Sequence, residues 1–427
     1  MSISELYKHY RTCTAICIDS RKVIPNAIFF ALKGPHFDGH AYADDALQMG
    51  CSFAVVEDVS RKNDDRFIVV PNVLNALQDL ASFHRTQLDI PILAITGSNG
   101  KTTTKELIHA MLSRSKKVVS TEGNLNNHIG LPLSLLRITD ETEIGVVEMG
   151  ANHLHEIHHL CTIAQPTHGL ITNIGKAHIE GFGSYKNVIR AKSELYEWLA
   201  RHGGTIFRNS DNPVLASITT SGARIVDYSV THNMFSDIRS NPYFEAIWHL
   251  PGQTCQLKSQ LFGSYNAENV AAAISVTRFF GVSADDIQTA LAGYAPMNHR
   301  SQIIQTSRNM VVMDAYNANP SSMIPAISDF VNTRGDKKMI ILGDMFELGA
   351  EAAKAHEQVV QFISAITGLE AIFIGQEFHK AAKETGHLHF IGVEDALDYL
   401  EAHPVRDNQI LLKGSRGMSL EKLLPCL

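Results

Sequence analysis

Pro91-Ile-Leu-Ala-Ile-Thr-Gly-Ser-Asn-Gly-Lys-Thr-Thr-Thr-Lys105 is the stretch that decides the fold of this chain. The apolar run Ile92–Ile95 predicts a buried strand. It ends in a glycine-bearing turn, Gly97-Ser98-Asn99-Gly100, after which Lys101 and Thr102 open a helical pattern carried by Leu107, Ile108, Met111 and Leu112. Strand, glycine loop, Lys-Thr and helix together cradle a triphosphate. Glycines let backbone N–H groups approach phosphate oxygens, the helix N-terminus favours anions, Lys101 adds a charge, and the Thr102 hydroxyl can hold Mg2+. The general motif Gly-x-x-x-x-Gly-Lys-Thr requires glycine at position 95, where Ile95 stands. An ordinary strand–turn–helix is the alternative, but Gly-Lys-Thr directly after a strand-end turn favours a nucleotide loop.

Around this stretch the chain divides into three blocks, 1–87, 88–300 and 301–427, with Pro91 at the entrance to the second. The first carries short strand-like runs (Ala15–Ile18, Ala27–Leu32, Phe53–Val56, Phe67–Val70) and helical patterns at Ala43–Met49 and Leu74–His84. The second alternates strands and helices, with strands at Ile92–Ile95, Gly145–Glu148, Gly169–Asn173 and Gly204–Arg208, which predicts a mostly parallel sheet covered by helices. The third repeats that rhythm at Met310–Met313, Lys338–Leu342, Ala371–Ile374, Leu388–Ile391 and Gln409–Leu412, a second doubly wound unit without a phosphate-type loop at its first strand. The fold class is therefore α/β in three domains.

Composition narrows the function. A length of 427 residues with 44% apolar and 19% charged residues supplies several cores. A formal net charge of −7 argues against nucleic acid or an anionic membrane as the main ligand. The six cysteines are scattered, and Cys13-x-x-x-Cys17 lacks a second ligand pair, so packing rather than metal binding is expected. The polar opening Met1-Ser-Ile-Ser-Glu and the lack of an 18-residue apolar run lead to the expectation of a cytoplasmic protein with no membrane insertion.

Doubly wound sheets bind ligands beyond the carboxyl ends of their strands, so the residues following each strand matter most. Glu148, followed by Met149-Gly150, ends the strand expected beside the phosphate strand and suits a hard cation. Asn173-Ile-Gly-Lys-Ala-His178 follows the next strand, and Ala191-Lys192-Ser193-Glu194 is read as the beginning of a helix. His178 and Lys192 alone would be an ordinary loop histidine and a surface lysine among 21 histidines and many lysines. His153, His155, His158 and His159 have helical spacing without acidic or cysteine partners, and read as a solvated helix face.

Taken together these segments resemble the Mur ligase family, the ATP-dependent amino-acid and peptide ligases of cell-wall precursor synthesis. Thr96–Thr102 matches the family's shortened P-loop, and Glu148-Met-Gly150 and Asn173–His178 match its next two signatures. Ala191-Lys192-x-Glu194 matches the site of a carbamylated lysine, and Thr121–Gly130 the segment near the reacting substrate. Asp314-Ala-Tyr316-Asn317-Ala-Asn319-Pro-Ser321, Leu342–Gly349 and Lys413-Gly-Ser-Arg416 are similar to the branch that adds D-Ala-D-Ala. Asp19-Ser20-Arg21 and Phe37-Asp-Gly-His40 resemble a UDP-sugar domain. One departure is Tyr265, which precedes Asn266 where the family often has histidine.

The resemblance implies a small N-terminal UDP-sugar domain, a central ATP-binding domain and a C-terminal Rossmann-like domain that binds the incoming dipeptide. It implies that ATP, a UDP-N-acetylmuramoyl-tripeptide and D-Ala-D-Ala are the substrates, with two Mg2+ sites, and that an acyl phosphate is the intermediate. Catalytic residues would be Lys101, Lys192, His178 and Arg300. ATP would be held by Gly97, Ser98, Asn99, Gly100, Lys101, Thr102 and Thr103, with Asn266, Asn269, Arg300 and Asp314. Metal ligands would be Thr102, Glu148, His178 and a carbamylated Lys192. Ser20, Arg21, His40, Asn126, Asn127, Asn317, Asn319 and Ser321 would contact the other substrates. A monomer is the expected state. The third peptide residue, diaminopimelate or lysine, stays open. A diamino-acid-adding or folylpolyglutamate ligase shares the ATP chemistry, whereas a nucleotide switch or a non-catalytic binding module would not need this full set of metal-ligand residues.

Overall fold

The computed structural model describes residues 1–297, 299–335 and 337–427, with Asn233 described by its backbone alone. Asn298, which precedes His299 and Arg300, lies outside the described residues.

The strand Ile92–Thr96 is buried at all five positions and lies inside a six-stranded parallel sheet. The sheet order is Arg224–Tyr228, Thr205–Asn209, His168–Ile171, Ile92–Thr96, Ile144–Glu148 and Val118–Ser120. Strand order reverses about Ile92–Thr96, so its carboxyl end opens into the crevice where such sheets take ligands. Register places Ile95 opposite Glu148 and Thr96 opposite Ile171, which brings the segments after three strands to one rim. One face is covered by Lys101–Leu112 and Ala267–Phe279, which share a core with Leu93, Ile95 and Val146. Full burial of each such aliphatic side chain is worth about 1.5–3 kcal/mol.

The expected helix at Lys192 starts earlier, at Tyr185, where Ser184 accepts a hydrogen bond from the Asn187 N–H at 3.2 Å. Lys192 therefore sits in mid-helix, on the face turned to the core. A second departure lies at Phe235–Ser240, Tyr243–Leu250 and Gln253–Phe262, which form an antiparallel three-stranded sheet inside the otherwise alternating second block. Phe244, Ala246 and Trp248 point inward while their neighbours are less buried, the period of a half-covered strand.

The first block has a four-stranded parallel sheet, Ile16–Cys17, Ile28–Phe30, Phe53–Val56 and Phe67–Val69. Its helix Val73–Thr86, capped by Asn72, joins it to the second block by burying Leu77, Leu80 and Ala81 in one cluster with Leu131, Leu135 and Leu160. Arg85 fixes that junction by donating to the Ala164 and Leu88 carbonyls at 3.1 and 2.8 Å. The third block is a six-stranded mixed sheet. Five of its strands run parallel, and Gln302–Gln305 adds an antiparallel edge against Met310–Asp314 that the sequence reading did not include. Separate apolar clusters cover its two faces, as a doubly wound sheet requires. Cys13, Cys17 and the other four cysteines are free thiols, and Cys17 is buried.

Candidate active site

The loop after Ile92–Thr96 is held by the strand beside it. Ser98 N–H donates to Asn173 O at 2.9 Å, Asn99 N–H to Asn173 Oδ1 at 3.0 Å, and Thr172 Oγ1 to Asn99 O at 2.6 Å. Gly100 has φ of 78°, and a Cβ there would overlap Asn269 Oδ1, so the position admits glycine alone. The helix that follows, Lys101–Leu112, therefore presents its free N–H groups and positive dipole end to the cleft. Lys101 Nζ folds back onto Gly97 O at 2.8 Å and Ser98 O at 3.3 Å, and burial lowers its pKa. Arg300 contributes a second positive charge to the surroundings of Lys101. Among the described residues neither cation is paired with a carboxylate at ion-pair distance, which fits a polyanion such as a nucleotide triphosphate.

Glu148 is buried at the strand end and organises the adjoining oxygens. Its Oε2 accepts from Thr102 Oγ1 at 2.8 Å, its Oε1 from Asn126 Nδ2 at 2.7 Å, and its N–H donates to Thr121 Oγ1 at 3.0 Å. A carboxylate and a hydroxyl this close, beside a polyphosphate site, fit a hard dication. Among the described residues no group of three or more His, Cys, Asp or Glu side chains is arranged to hold a metal. Asn127 caps the following turn, accepting from Ile129 and Gly130 N–H.

Lys192 and His178, expected as a second metal pair, have separate partners. The Lys192 ammonium lies under the cleft, 1% exposed, donating to Ala151 O at 3.3 Å with the Phe182 ring 5.4 Å away. Burial, with Lys101 adding repulsion, lowers its pKa to about 7. His178 adopts φ of 54° and points its Nδ1 at Glu347 of the third block. The pairing holds the Glu347 carboxyl below its ordinary pKa. Glu194, two residues after Lys192, receives the His155 and His158 N–H groups at 2.8 and 2.9 Å. That bond explains the acidic residue of the motif as a cap for the helix Glu156–Ala164. His153 and His155 precede this helix instead of lying on its face.

The cleft, of about 1630 Å³, is walled by all three blocks. Arg300 stacks on Tyr316, its Cζ 3.5 Å from the ring centroid. Asp314 is held by Lys413 Nζ and the Ser301 N–H. Asn269 Nδ2 donates to Asn266 Oδ1 at 2.8 Å, and Asn269 Oδ1 accepts from Thr104 Oγ1, a buried amide pair behind Gly100. Tyr265, in the place of the expected histidine, directs its hydroxyl to Ser301 Oγ at 2.8 Å, tying the second block to the start of the third. Thr103, Asn126, Asn127, Asn317 and Ser321 line the cleft, whereas Gly97, Lys192 and Asn319 lie behind its surface. Asn319 is 3% exposed, caps the helix Pro320–Asn332, and donates to Asn99 Oδ1 at 2.7 Å. Asn99 Nδ2 in turn donates to Ser321 Oγ at 3.1 Å, so the phosphate loop touches the third block directly.

Ser20, Arg21 and His40 are not brought to this cleft. Arg21 is exposed and paired with Asp19 at 2.9 Å. His40 bridges Asp38 and the Glu57 N–H. The first block reaches the cleft instead through Leu74, Asn75 and Gln78 of Val73–Thr86. Sequence reading also passed over Lys105, whose buried ammonium donates to Thr121 O at 2.6 Å and so steadies the residue that holds Glu148. Its position one turn after Lys101, on the same helix face, was the available signal. Among the described residues, no helix is long and apolar enough to cross a membrane.

A phosphate loop, an acidic strand end and a third unit closing over both define a nucleotide-dependent ligase fold, and the chain belongs to the Mur ligase family. Residues 12–85 match the Mur ligase catalytic domain, 95–277 the Mur ligase middle domain and 299–416 the Mur ligase glutamate ligase domain. The UDP-N-acetylmuramoyl-tripeptide–D-alanyl-D-alanine ligase of Bacillus subtilis is 34% identical over 96% of this chain and 92% of its own length. The MurF structure from Acinetobacter baumannii superimposes with a TM-score of 0.88 at 30% identity, covering 99% of this chain and 98% of that one. The MurF ligase of Thermotoga maritima, solved in complex with ADP, gives a TM-score of 0.86 at 26% identity over 98% and 97% of the two chains.

Proposed function

We propose that this chain joins D-Ala-D-Ala to a UDP-N-acetylmuramoyl-tripeptide at the expense of ATP, giving the pentapeptide precursor, ADP and phosphate. The observation that carries this reading is the contact of Asn99 with Asn319 and Ser321, which sets a phosphate loop against the residues expected to receive the dipeptide. The similarity to D-Ala-D-Ala-adding relatives supports it.

In this reaction the tripeptide's terminal carboxylate accepts the γ-phosphoryl group as ADP departs. The dipeptide amine then attacks the acyl carbon and phosphate leaves. Two anions meet in the first step, so the protein's task is positioning and charge neutralisation. Lys101, the loop N–H groups and Arg300 bind the phosphates, with Tyr316 stacking to orient Arg300. Asn266 and Asn269 would take the base and Asp314 the ribose; all three line the cleft. Mg2+ held by Thr102 and Glu148 would neutralise phosphate charge. Lys192, with a pKa near 7, has a substantial neutral fraction at neutral pH, the form that adds CO2. A carbamate there would put an oxygen anion beneath Ala151, behind the cleft surface. Asn126 and Asn127 would face the tripeptide and Asn317 and Ser321 the dipeptide, with Asn319 bracing the phosphate loop from behind. The units 1–87, 88–300 and 301–427 would carry the UDP-sugar, ATP and dipeptide, with Ser20, Arg21 and His40 on the first. The protein acts as a cytoplasmic monomer.

Phosphate release measured with the UDP-muramoyl tripeptide, carrying diaminopimelate or lysine, tests this directly. Release should require ATP, the tripeptide and D-Ala-D-Ala together. Release with a free diamino acid in place of the dipeptide would overturn the assignment.

A further inference from the structure

The amine substrate of the proposed reaction carries a second charged group. Its amine must be free to attack, while its carboxylate stays ionised and must be kept away from the phosphorylated carboxyl. A carboxylate drawn out of bulk water into a cleft calls for a cation, and a guanidinium receives it through two parallel N–H bonds.

The strong cations lining the cleft differ in their commitments. Lys101 is turned onto its own loop, and Arg300 contributes to the charge around Lys101, on the phosphate side. Lys413 is paired with Asp314. Arg416 is exposed, lines the cleft, and among the described residues has no carboxylate at ion-pair distance. Its contacts are with Tyr316: the guanidinium carbon is 5.2 Å from the ring centroid, and Nη1 lies a long 3.4 Å from the hydroxyl.

The base of Arg416 is nevertheless fixed. Ser415 N–H donates to Asp344 O at 3.1 Å, and Ser415 Oγ accepts from the Phe346 N–H at 2.9 Å. Phe346 is 45% exposed on the same wall, and a Cβ at Gly417 would lie 2.7 Å from its ring. A side chain at 417 would displace that ring. An uncommitted guanidinium beside an exposed phenyl ring matches the carboxyl end of a small apolar amino acid. Arg300 and Arg416 touch the same Tyr316 ring. A dipeptide spans about 7 Å, so a carboxylate held at Arg416 leaves its amine well away from the guanidinium.

We propose that Arg416 is a specificity-determining residue that binds the C-terminal carboxylate of the incoming dipeptide, against the apolar surface of Phe346. This rests on the ligase reading above. The test compares D-Ala-D-Ala with D-alanyl-D-alaninamide in phosphate release by the full chain. The wild-type protein should prefer the acid by about 10- to 150-fold in kcat/KM, the range of a charge-assisted bond. In Arg416→Met the preference should fall to within about threefold, with the KM for ATP and for the tripeptide unchanged. Arg416→Lys, which keeps the charge without the fork, should be intermediate. An undiminished preference in Arg416→Met, or a KM for ATP that rises as far as that for the dipeptide, would overturn the anchor alone. No phosphate release by the wild-type protein with either dipeptide would overturn the ligase reading and the anchor with it.

Discussion

Replacing Asn99 with alanine should uncouple the phosphate loop from the third block without dismantling the loop. The backbone of Asn99 is held by Thr172 and Asn173, and those bonds do not involve its side chain. The side chain makes two bonds across the cleft, to Ser321 Oγ at 3.1 Å and from Asn319 Nδ2 at 2.7 Å. A neutral hydrogen bond contributes about 0.5–1.5 kcal/mol net, so the pair contributes about 1–3 kcal/mol to the closed arrangement. At about 1.4 kcal/mol per factor of ten, kcat/KM for the dipeptide should fall about 5- to 150-fold. ATP affinity, measured by calorimetry without the dipeptide, should change less than about threefold, a shift below roughly 0.7 kcal/mol. A double-mutant cycle with Ser321→Ala should return about 0.5–1.5 kcal/mol of coupling. A kcat/KM within about twofold of wild type, below the effect of one such bond, would refute the reasoning. So would a loss of ATP affinity in step with the loss for the dipeptide.

Lys101→Ala should abolish ATP turnover while leaving the thermal midpoint close to wild type, because the removed ammonium bonds only its own loop; near-normal turnover would be incompatible with the phosphate-loop assignment. Lys192→Ala should lose most activity and recover part of it with short carboxylates such as acetate, which place an anion where a carbamate would stand. Absence of rescue would count against the carbamate. His168 gives a pH signature. Burial lowers its pKa from 6.5 to about 4, so the unfolded chain binds the extra proton first as pH falls. Stability should be unaffected above pH 6.5 and decline toward pH 4, by at most about 1.4 kcal/mol per unit. His168→Gln should show a shallower decline in denaturant titrations between these limits, and an unchanged slope would refute the assignment.

The strand–loop–helix at Ile92–Leu112 was legible because three local signals agree: an apolar run, glycines at the turn and a 3.6-residue apolar period. The antiparallel sheet at Phe235–Phe262 is hidden in the sequence: Tyr243–Leu250 alternates, but the surrounding rhythm is that of strand–helix units. The helix holding Lys192 begins before its motif, because Ser184, its cap, carries no apolar signal. Ser20, Arg21 and His40 do not line the cleft, which the first block reaches through one helix, a separation no local pattern encodes.

By itself the sequence determined which groups could do chemistry: a phosphate loop at 96–102, an acid at a strand end, and a lysine and a histidine in the motifs that follow. These are local matters of residue type and spacing. Only the tertiary structure decided their states and partners. Burial beneath Ala151 brings the Lys192 pKa near neutrality. The approach of the third block gives His178 to Glu347 and Asn99 to Asn319 and Ser321. It also leaves Arg416 without a carboxylate partner among the described residues. The contacts of His178 and Asn99 join segments more than 150 residues apart in the chain, the burial of Lys192 joins segments 41 apart, and no local pattern encodes those distances.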